Sequence, residues 1–323
     1  FEKISIGGSV NVTRDHCLNE LKLRMNNGLV KVITGIRRCG KSYLLNVLFY
    51  NYLISAGVDD DHIIKVALDD LENDYLHDAH RLNTYIKGKL IDDKPYYVFL
   101  DEIQEVDHFV PLLNGLRKIP NVDIYITGSN SKFLSSDIVT EFRGRGDQVH
   151  VYPLSFREFF SASKLDFDEA LNEYLIYGGR PVVLNRSVDE LKAEYLNDLY
   201  KEIYLKDIKE RYKIKNDAER GELLDRIASC IGSLINSTKL ENSFKSIRKS
   251  SLSRNTIEAY LKTFEDSFLI DSAQRFDIKG KKYIGSTKKF YFTDVGLRNA
   301  RLNFRQIEET HLRENIIYNE LKI

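Results

Sequence analysis

VKVITGIRRCGKSYLLNVLF, residues 31–50, decides how the rest of the chain is read. A β-branched apolar run stops at Gly35, and Gly40-Lys41-Ser42 then opens an apolar helical pattern that reaches Gly57. This is a buried strand, a glycine turn and a helix in immediate succession. Gly35-Ile36-Arg37-Arg38-Cys39-Gly40-Lys41-Ser42, with Tyr43 behind it, fits the phosphate-binding pattern G-x-x-x-x-G-K-[ST]. The spacing has a physical purpose. The glycines let backbone N–H groups converge on phosphate oxygens at the positive end of the following helix. Lys41 is then expected to reach the β- and γ-phosphates, and the Ser42 hydroxyl to ligate Mg²⁺.

Two further strand ends fit the same chemistry. PYYVFLDEIQEV, residues 95–106, is an apolar strand closing on Asp101-Glu102. A strand-end Asp in this position holds magnesium, and a Glu directly after it can polarise an attacking water. Asp101 is therefore expected at the metal and Glu102 as general base. NVDIYITGSNSKFL, residues 121–134, is another short strand ending in small polar residues. Some NTPases insert an extra strand between the phosphate-loop strand and the Asp-Glu strand. In those the insert carries a γ-phosphate sensor, and here Ser129 or Asn130 would fill that role. A turn with a serine helix cap reads equally well from the same residues.

Strand candidates near 30–34, 63–68, 97–100, 122–127 and 148–152 alternate with helical patterns. That alternation predicts a parallel sheet sandwiched by helices, with ligands at the carboxyl ends of the strands. Arg143 and Arg145 precede the last of these strands. They read either as arginine fingers for a neighbouring subunit or as surface charge. Residues 156–212 are helical in pattern except at YLIYGGRPVVL, where Gly178, Gly179 and Pro181 force a break. The break is a plain helix connection or a nucleotide-contacting corner of a lid.

ERGELLDRIASCIGSLIN, KLENSFKSIRKS and SRNTIEAYLKTFEDSFLI read as three helices, followed by two strands around a Lys/Gly-rich hairpin. This is the pattern of a winged helix, a DNA-binding form that is also used as a packing module. From Lys239 to Arg298 there are thirteen Lys/Arg and seven Asp/Glu, an excess of six in a chain whose net charge is zero. Lys245, Arg248, Lys249, Arg254, Lys279, Lys281 and Lys282 are where contacts to double-stranded DNA would fall.

The 323 residues exceed one ordinary core and predict several domains. We read a P-loop ATPase core over 1–155, a helical lid over 156–215 and a winged helix over 216–303. Residues 304–323 read as the start of a truncated further region. Three distant cysteines form no disulfide framework or zinc spacing, and no apolar run spans a bilayer. A cytoplasmic protein, itself a piece of a longer chain, is the expectation.

GIRRCGKSYLL, FLDEIQEV, ITGSNSKFL, VYPLSFREFF, YLIYGGRP and KFYFTDVGLRNA occur in this order along nearly the whole chain. In this they resemble prokaryotic AAA+ superfamily ATPases of the AAA_14/DUF4143 type. The resemblance implies an AAA-type core and a C-terminal region similar to restriction-endonuclease folds, of which RENIIYNELKI would be the opening helix. The GG-x-P element is also similar to the corner that STAND-type NTPases place over nucleotide, which would bring Gly179 and Pro181 to it. Arg37-Arg38 is unusual among phosphate loops at large but typical of this family. The expected function is a Mg²⁺-dependent ATPase whose nucleotide state repositions the winged helix on DNA or a partner. The alternative is a STAND-like switch that turns over slowly and signals through protein partners or homo-oligomerisation. No Asn-Lys-x-Asp loop is present, which favours ATP over GTP.

Overall fold

A computed structural model describes residues 12–128, 142, 144–209, 217–248, 252–274, 287–305 and 307–323, with backbone alone at 205–207, 217, 247 and 248. The chain divides into two compact units, Thr13–Val151 and, with Val12, Tyr152–Ile323. Among the described residues no helix is long and apolar enough to cross a membrane.

The first unit begins with helix α1 (Asp15–Leu23) and strand β1 (Val30–Thr34). Helix α2 (residues 41–55) starts as α-helix over Lys41–Tyr43, widens to a π-helical stretch over Leu44–Phe49 and returns to α over Tyr50–Ser55. Then come β2 (Ile63–Ala67), α3 (Ala79–Lys89), β3 (Tyr96–Asp101), α4 (Phe109–Leu116), β4 (Val122–Thr127) and β5 (Gly146–His150). The five strands are parallel, in the order β2-β3-β4-β1-β5. β4 thus lies between the phosphate-loop strand and the Asp-Glu strand, as expected of an inserted strand.

Both faces of this sheet are covered, which is why its strands read as unbroken apolar runs. Val30, Val32, Val98, Leu100, Ile124 and Ile126 share one buried cluster with Leu82 and Ile86 of α3 and Leu112, Leu113 and Leu116 of α4. The alternate residues point the other way. There Phe49 of α2 packs against Phe99, at 5.7 Å between ring centroids, and Tyr125, at 4.7 Å. The sheet's amino end is tied by polar groups. Buried Lys31 pairs with Asp123, which also accepts from the Tyr125 hydroxyl (2.7 Å) and the Asn26 backbone N–H (2.9 Å).

The second unit opens with α5 (Phe156–Ala162) and α6 (Phe167–Tyr177), each started by a reciprocal capping box, Ser155 with Glu158 and Asp166 with Glu169. α7 (Asp189–Glu202) runs on into a π-helical stretch, Ile203–Lys209. Next are α8 (Asp217–Ser229), β6 (Leu234–Ile235), α9 (Ser237–Arg248), α10 (Arg254–Asp266), β7 (Ile270–Gln274) and β8 (Lys288–Phe292). The last helices are α11 (Val295–Arg301) and α12 (Glu309–Glu320). β6, β8 and β7 form an antiparallel sheet in that order.

The segment that reads as the start of a further region, α12, packs onto this sheet. Asn315 is buried, accepts from the Phe292 N–H (2.9 Å) and donates to the Phe292 carbonyl (2.7 Å). Its amide satisfies the backbone of β8 beyond the reach of short β6. Residues 178–180 and 293–299 are locked together in the same unit. The Asp294 carboxylate caps α11 through Leu297 N–H (3.1 Å), accepts from Gly179 N–H (3.1 Å) and faces buried Arg180 at 3.4 Å. A Cβ at Gly178 would overlap the Asp294 carboxylate, and one at Gly296 the Tyr177 carbonyl.

Breaking the Lys31–Asp123 pair from one side leaves a buried charge without its counter-ion, at a cost of about 3–5 kcal/mol. Asp123→Ala is expected to lower unfolding stability by about that amount in a urea titration. Replacing both partners, by Lys31→Met with Asp123→Leu, is expected to cost less than the single change.

Candidate functional site

The loop from Gly35 to Gly40 takes the shape its residues allow. Gly35 has φ 145° and Gly40 φ 102°, both in the region that favours glycine, and Arg38 adopts φ 59°. Space imposes a second demand at Gly35, where a Cβ would overlap the backbone carbonyl oxygen of Val151. The end of β5 is thus pressed against the loop, and Cys39, fully buried, donates its thiol to that same carbonyl at 3.2 Å. Cys39 serves as loop packing. Ile36 is also buried, Arg37 and Tyr43 are half-buried, and Arg38 is exposed.

Lys41 begins α2 and is 4% exposed. Its ammonium donates to the carbonyls of Gly35 (3.0 Å) and Ile36 (3.3 Å), which holds the charge inside the loop. One residue on, the Ser42 hydroxyl donates to Asp101 Oδ1 at 3.1 Å. The loop strand β1 and the acidic strand β3 are therefore joined across β4.

Asp101 is the node of the site. Asn46, one helical turn beyond Ser42, donates to its Oδ2 at 3.0 Å, and the Thr127 hydroxyl at the end of β4 donates to its Oδ1. Thr127 Oγ1 in turn accepts from the Glu102 N–H at 3.1 Å. Burial pushes the Asp101 carboxyl above the usual carboxylate range; Glu102 and Asp69 push the same way, against the hydrogen bonds from Thr127 and Ser42. Asp69, just past β2, is also raised, first by desolvation and then by the charges of Glu102, Asp70 and Glu105. A site that makes its carboxylates hard to ionise favours a cation beside them.

These groups fit magnesium. Among the described residues no three or more His, Cys, Asp or Glu form a protein-only metal cage. Mg²⁺ ordinarily takes one or two protein ligands with substrate phosphates and water. Ser42 and Asp101 are such a pair, side by side next to the phosphate loop.

The structure brings together Gly35, Gly40, Lys41, Ser42, Asp101 and Glu102. Ser129, Asn130, Arg143, Lys249, Lys279, Lys281 and Lys282 fall outside the described residues, as does the Arg248 side chain. Arg145 stands at the opposite end of the sheet. Gly146 pairs with Val30, so Arg145 is one five-residue strand, roughly 16 Å, from the loop of its own chain. There it donates to Asn114 at 3.4 Å. Arg145 can serve a phosphate only in another subunit. Gly179 and Pro181 belong to the second unit. Gly179 is buried, and its N–H goes to Asp294 and its carbonyl to the Leu154 N–H at 2.8 Å.

Sequence reasoning missed Asn46, Thr127, Gln104 and Asp69. Asn46 was within reach, since Ser42 and Asn46 share a helix face at i and i+4. Thr127 required the β3–β4 register, which ends with Leu100 facing Ile126 and so brings the Thr127 hydroxyl to the Asp101 carboxylate. Gln104 and Asp69 carry no local signal.

Residues 27–160 match a family model described as an AAA domain, and residues 168–308 match one described as a domain of unknown function, DUF8612. With the sheet and site above, residues 27–160 form a P-loop NTPase core similar to AAA domains. The chain is 33% identical over 316 residues to an uncharacterized protein of Haemophilus influenzae, covering 96% of this chain and 78% of that one. It is 31% identical over 339 residues to the uncharacterized protein MJ1544 of Methanocaldococcus jannaschii, covering 100% of this chain and 73% of that one. It belongs to the family of these two proteins. Among solved structures it is similar to the Aeropyrum pernix Orc1 protein in complex with DNA, at 12% identity and a TM-score of 0.40, covering 99% and 97% of the two chains. At that score the likeness carries no functional weight.

Gly35→Ala is expected to abolish binding of a fluorescent ATP analogue, because its methyl meets backbone and its φ is strained. Gly28→Ala, also at positive φ but with open space around its Cβ position, is expected to leave binding intact.

Proposed function

We propose that the chain is a Mg²⁺-dependent ATPase. The observation that carries this reading is the convergence of Lys41, Ser42, Asp101 and Glu102 at the carboxyl ends of β1 and β3, linked through Asp101. The loop's N–H groups and Lys41 would bind the phosphates, and Lys41 would reach the β- and γ-oxygens once turned from the loop carbonyls. Ser42 and Asp101 would hold the metal, which when bound neutralises charge on the phosphates. Glu102 would take a proton from the attacking water. Thr127 holds the backbone of Glu102 and the side chain of Asp101 from one hydroxyl, and so keeps base and metal ligand in register. Asn130 is proposed as γ-phosphate sensor, and Arg145 as a finger acting between subunits.

The reading extends to the second unit. The order of helices and strands over 217–292, with the sheet order β6-β8-β7, supports a winged helix, and its position is proposed to answer to the nucleotide. The GG-x-P corner is proposed to contact nucleotide through Pro181, as its STAND-like pattern suggests, with buried Gly179 shaping the corner behind it. Duplex DNA is the proposed partner, on the strength of the excess of six positive charges over 239–298. Several cations of that segment are already engaged: Lys245 with Glu241 (2.7 Å), Arg254 with Glu258 (2.8 Å) and Lys289 with Glu314 (2.7 Å). The proposal therefore rests on Lys279, Lys281 and Lys282 for phosphate contact.

Steady-state hydrolysis tests the core of this. Lys41→Ala is expected to weaken ATP binding about a hundredfold, and Glu102→Gln to lower kcat by about 10²–10⁴ while binding persists. EDTA is expected to stop turnover. Wild-type turnover near zero with ATP bound would replace this reading with a nucleotide switch. For the second unit, changing Lys279, Lys281 and Lys282 to Glu is expected to weaken duplex binding and flatten its salt dependence. An unchanged slope would remove DNA from the proposal.

A further inference from the structure

The β3–α4 connection contains a side chain that the reaction described above does not use. Gln104 lies in the short 3₁₀ turn Ile103–Glu105 and is 5% exposed. Its amide nitrogen donates to Glu102 Oε2 and lies 3.5 Å from Glu105 Oε1. Turning the amide over would aim its oxygen at both carboxylates, so this orientation is the one electrostatics allows. The arrangement has a cost. Gln104 Oε1 is buried without a hydrogen-bond partner among the described residues, and such a group in a native protein calls for an explanation.

Glu102 itself is held from its backbone. It adopts φ 54°, ψ 49°, uncommon for a residue with a side chain, and its N–H is bound to Thr127. Those constraints set where its Cα–Cβ bond points. The place of the carboxylate beyond that bond depends on three side-chain torsions, whose range spans several ångströms. A base must be within hydrogen-bond reach of the water it activates, so something has to fix those torsions. Gln104 is buried, neutral and a donor, and it can do so without adding charge to a site that already has Asp69, Asp101 and Glu105 nearby.

We propose that Gln104 is a positioning residue that holds the Glu102 carboxylate for water activation, its unpartnered oxygen being the cost of aiming its nitrogen at the base. The inference rests on Glu102 acting as that base. It makes Gln104 matter to kcat and not to nucleotide affinity, because Gln104 touches neither the phosphate loop nor Asp101 in the contacts described.

The test is a double-mutant cycle on the full chain with ATP and Mg²⁺, reading kcat, the Kd of a fluorescent ATP analogue and Tm. Gln104→Leu keeps the volume and removes the donor. It is expected to lower kcat about ten- to a hundredfold with Kd unchanged, and Gln104→His, which restores an N–H, to recover part of the loss. In the Glu102→Gln background Gln104→Leu is expected to add nothing, since its effect passes through the carboxylate. If Gln104→Leu fails to fold, Gln104→Glu serves instead: isosteric and repelling Glu102, it is expected to lower kcat at least as far. A Gln104→Leu or Gln104→Glu kcat within twofold of wild type, or a loss that multiplies with that of Glu102→Gln, overturns the inference while the base assignment stands. Wild-type turnover in Glu102→Gln alone overturns the base assignment instead.

Discussion

A carboxylate buried at the end of β3 governs the first unit. Asp101 is 6% exposed, and a charge there is stable only where donors or a cation surround it. Two elements supply those donors: Ser42 and Asn46 from α2, and Thr127 from β4. Because these elements must approach Asp101 together, the phosphate loop, the acidic strand and the inserted strand cannot drift independently. Seating the loop against Val151 adds β5 to the same assembly. The strand order β2-β3-β4-β1-β5 is what allows all of this at one end of one sheet.

The second unit is organised on the same principle with a different acid. Asp294 is 2% exposed, and its carboxylate serves the start of α11, the Gly179 N–H and Arg180 at once. Asn299, one turn further along α11, donates to the carbonyls of Leu175 (2.9 Å) and Ile176 (2.8 Å), where α6 ends. The two glycines and the TDVGLRNA segment, some 115 residues apart, are thus two halves of one packed corner. Tight backbone approach accounts for glycine at 178 and 296, since a methyl at either has no room.

Much of the first unit was legible before any coordinates. The apolar runs around Val30, Tyr96 and Val122 identified strands because both faces of a parallel sheet are covered, and the glycine spacing around Lys41 identified the turn. Asp101 and Glu102 were legible because each follows such a run at the end where ligands bind. Asn46 and Thr127 were not, although both touch Asp101. One is an ordinary polar residue on a helix, the other an ordinary threonine in a strand, and only pairing in space distinguishes them. The second unit was harder to read. α12 reads as the opening of a further region because RENIIYNELKI resembles one, and its ties to Phe292 through Asn315 and Asn319 are polar contacts that periodicity does not register.

By itself the sequence determined the local matters: where strands and helices run, where glycine frees the backbone, and which charged residues stand at strand ends. Those depend on neighbours within a few positions along the chain. The tertiary structure alone decided which of these residues meet. It placed Arg145 at the far end of the sheet from the phosphate loop, put Cys39 into packing against Val151, and set Gln104 against Glu102. Hydrogen bonds and burial are short-ranged in space, and contacts between distant segments follow from strand order and register, which leave almost no mark on any one stretch of sequence.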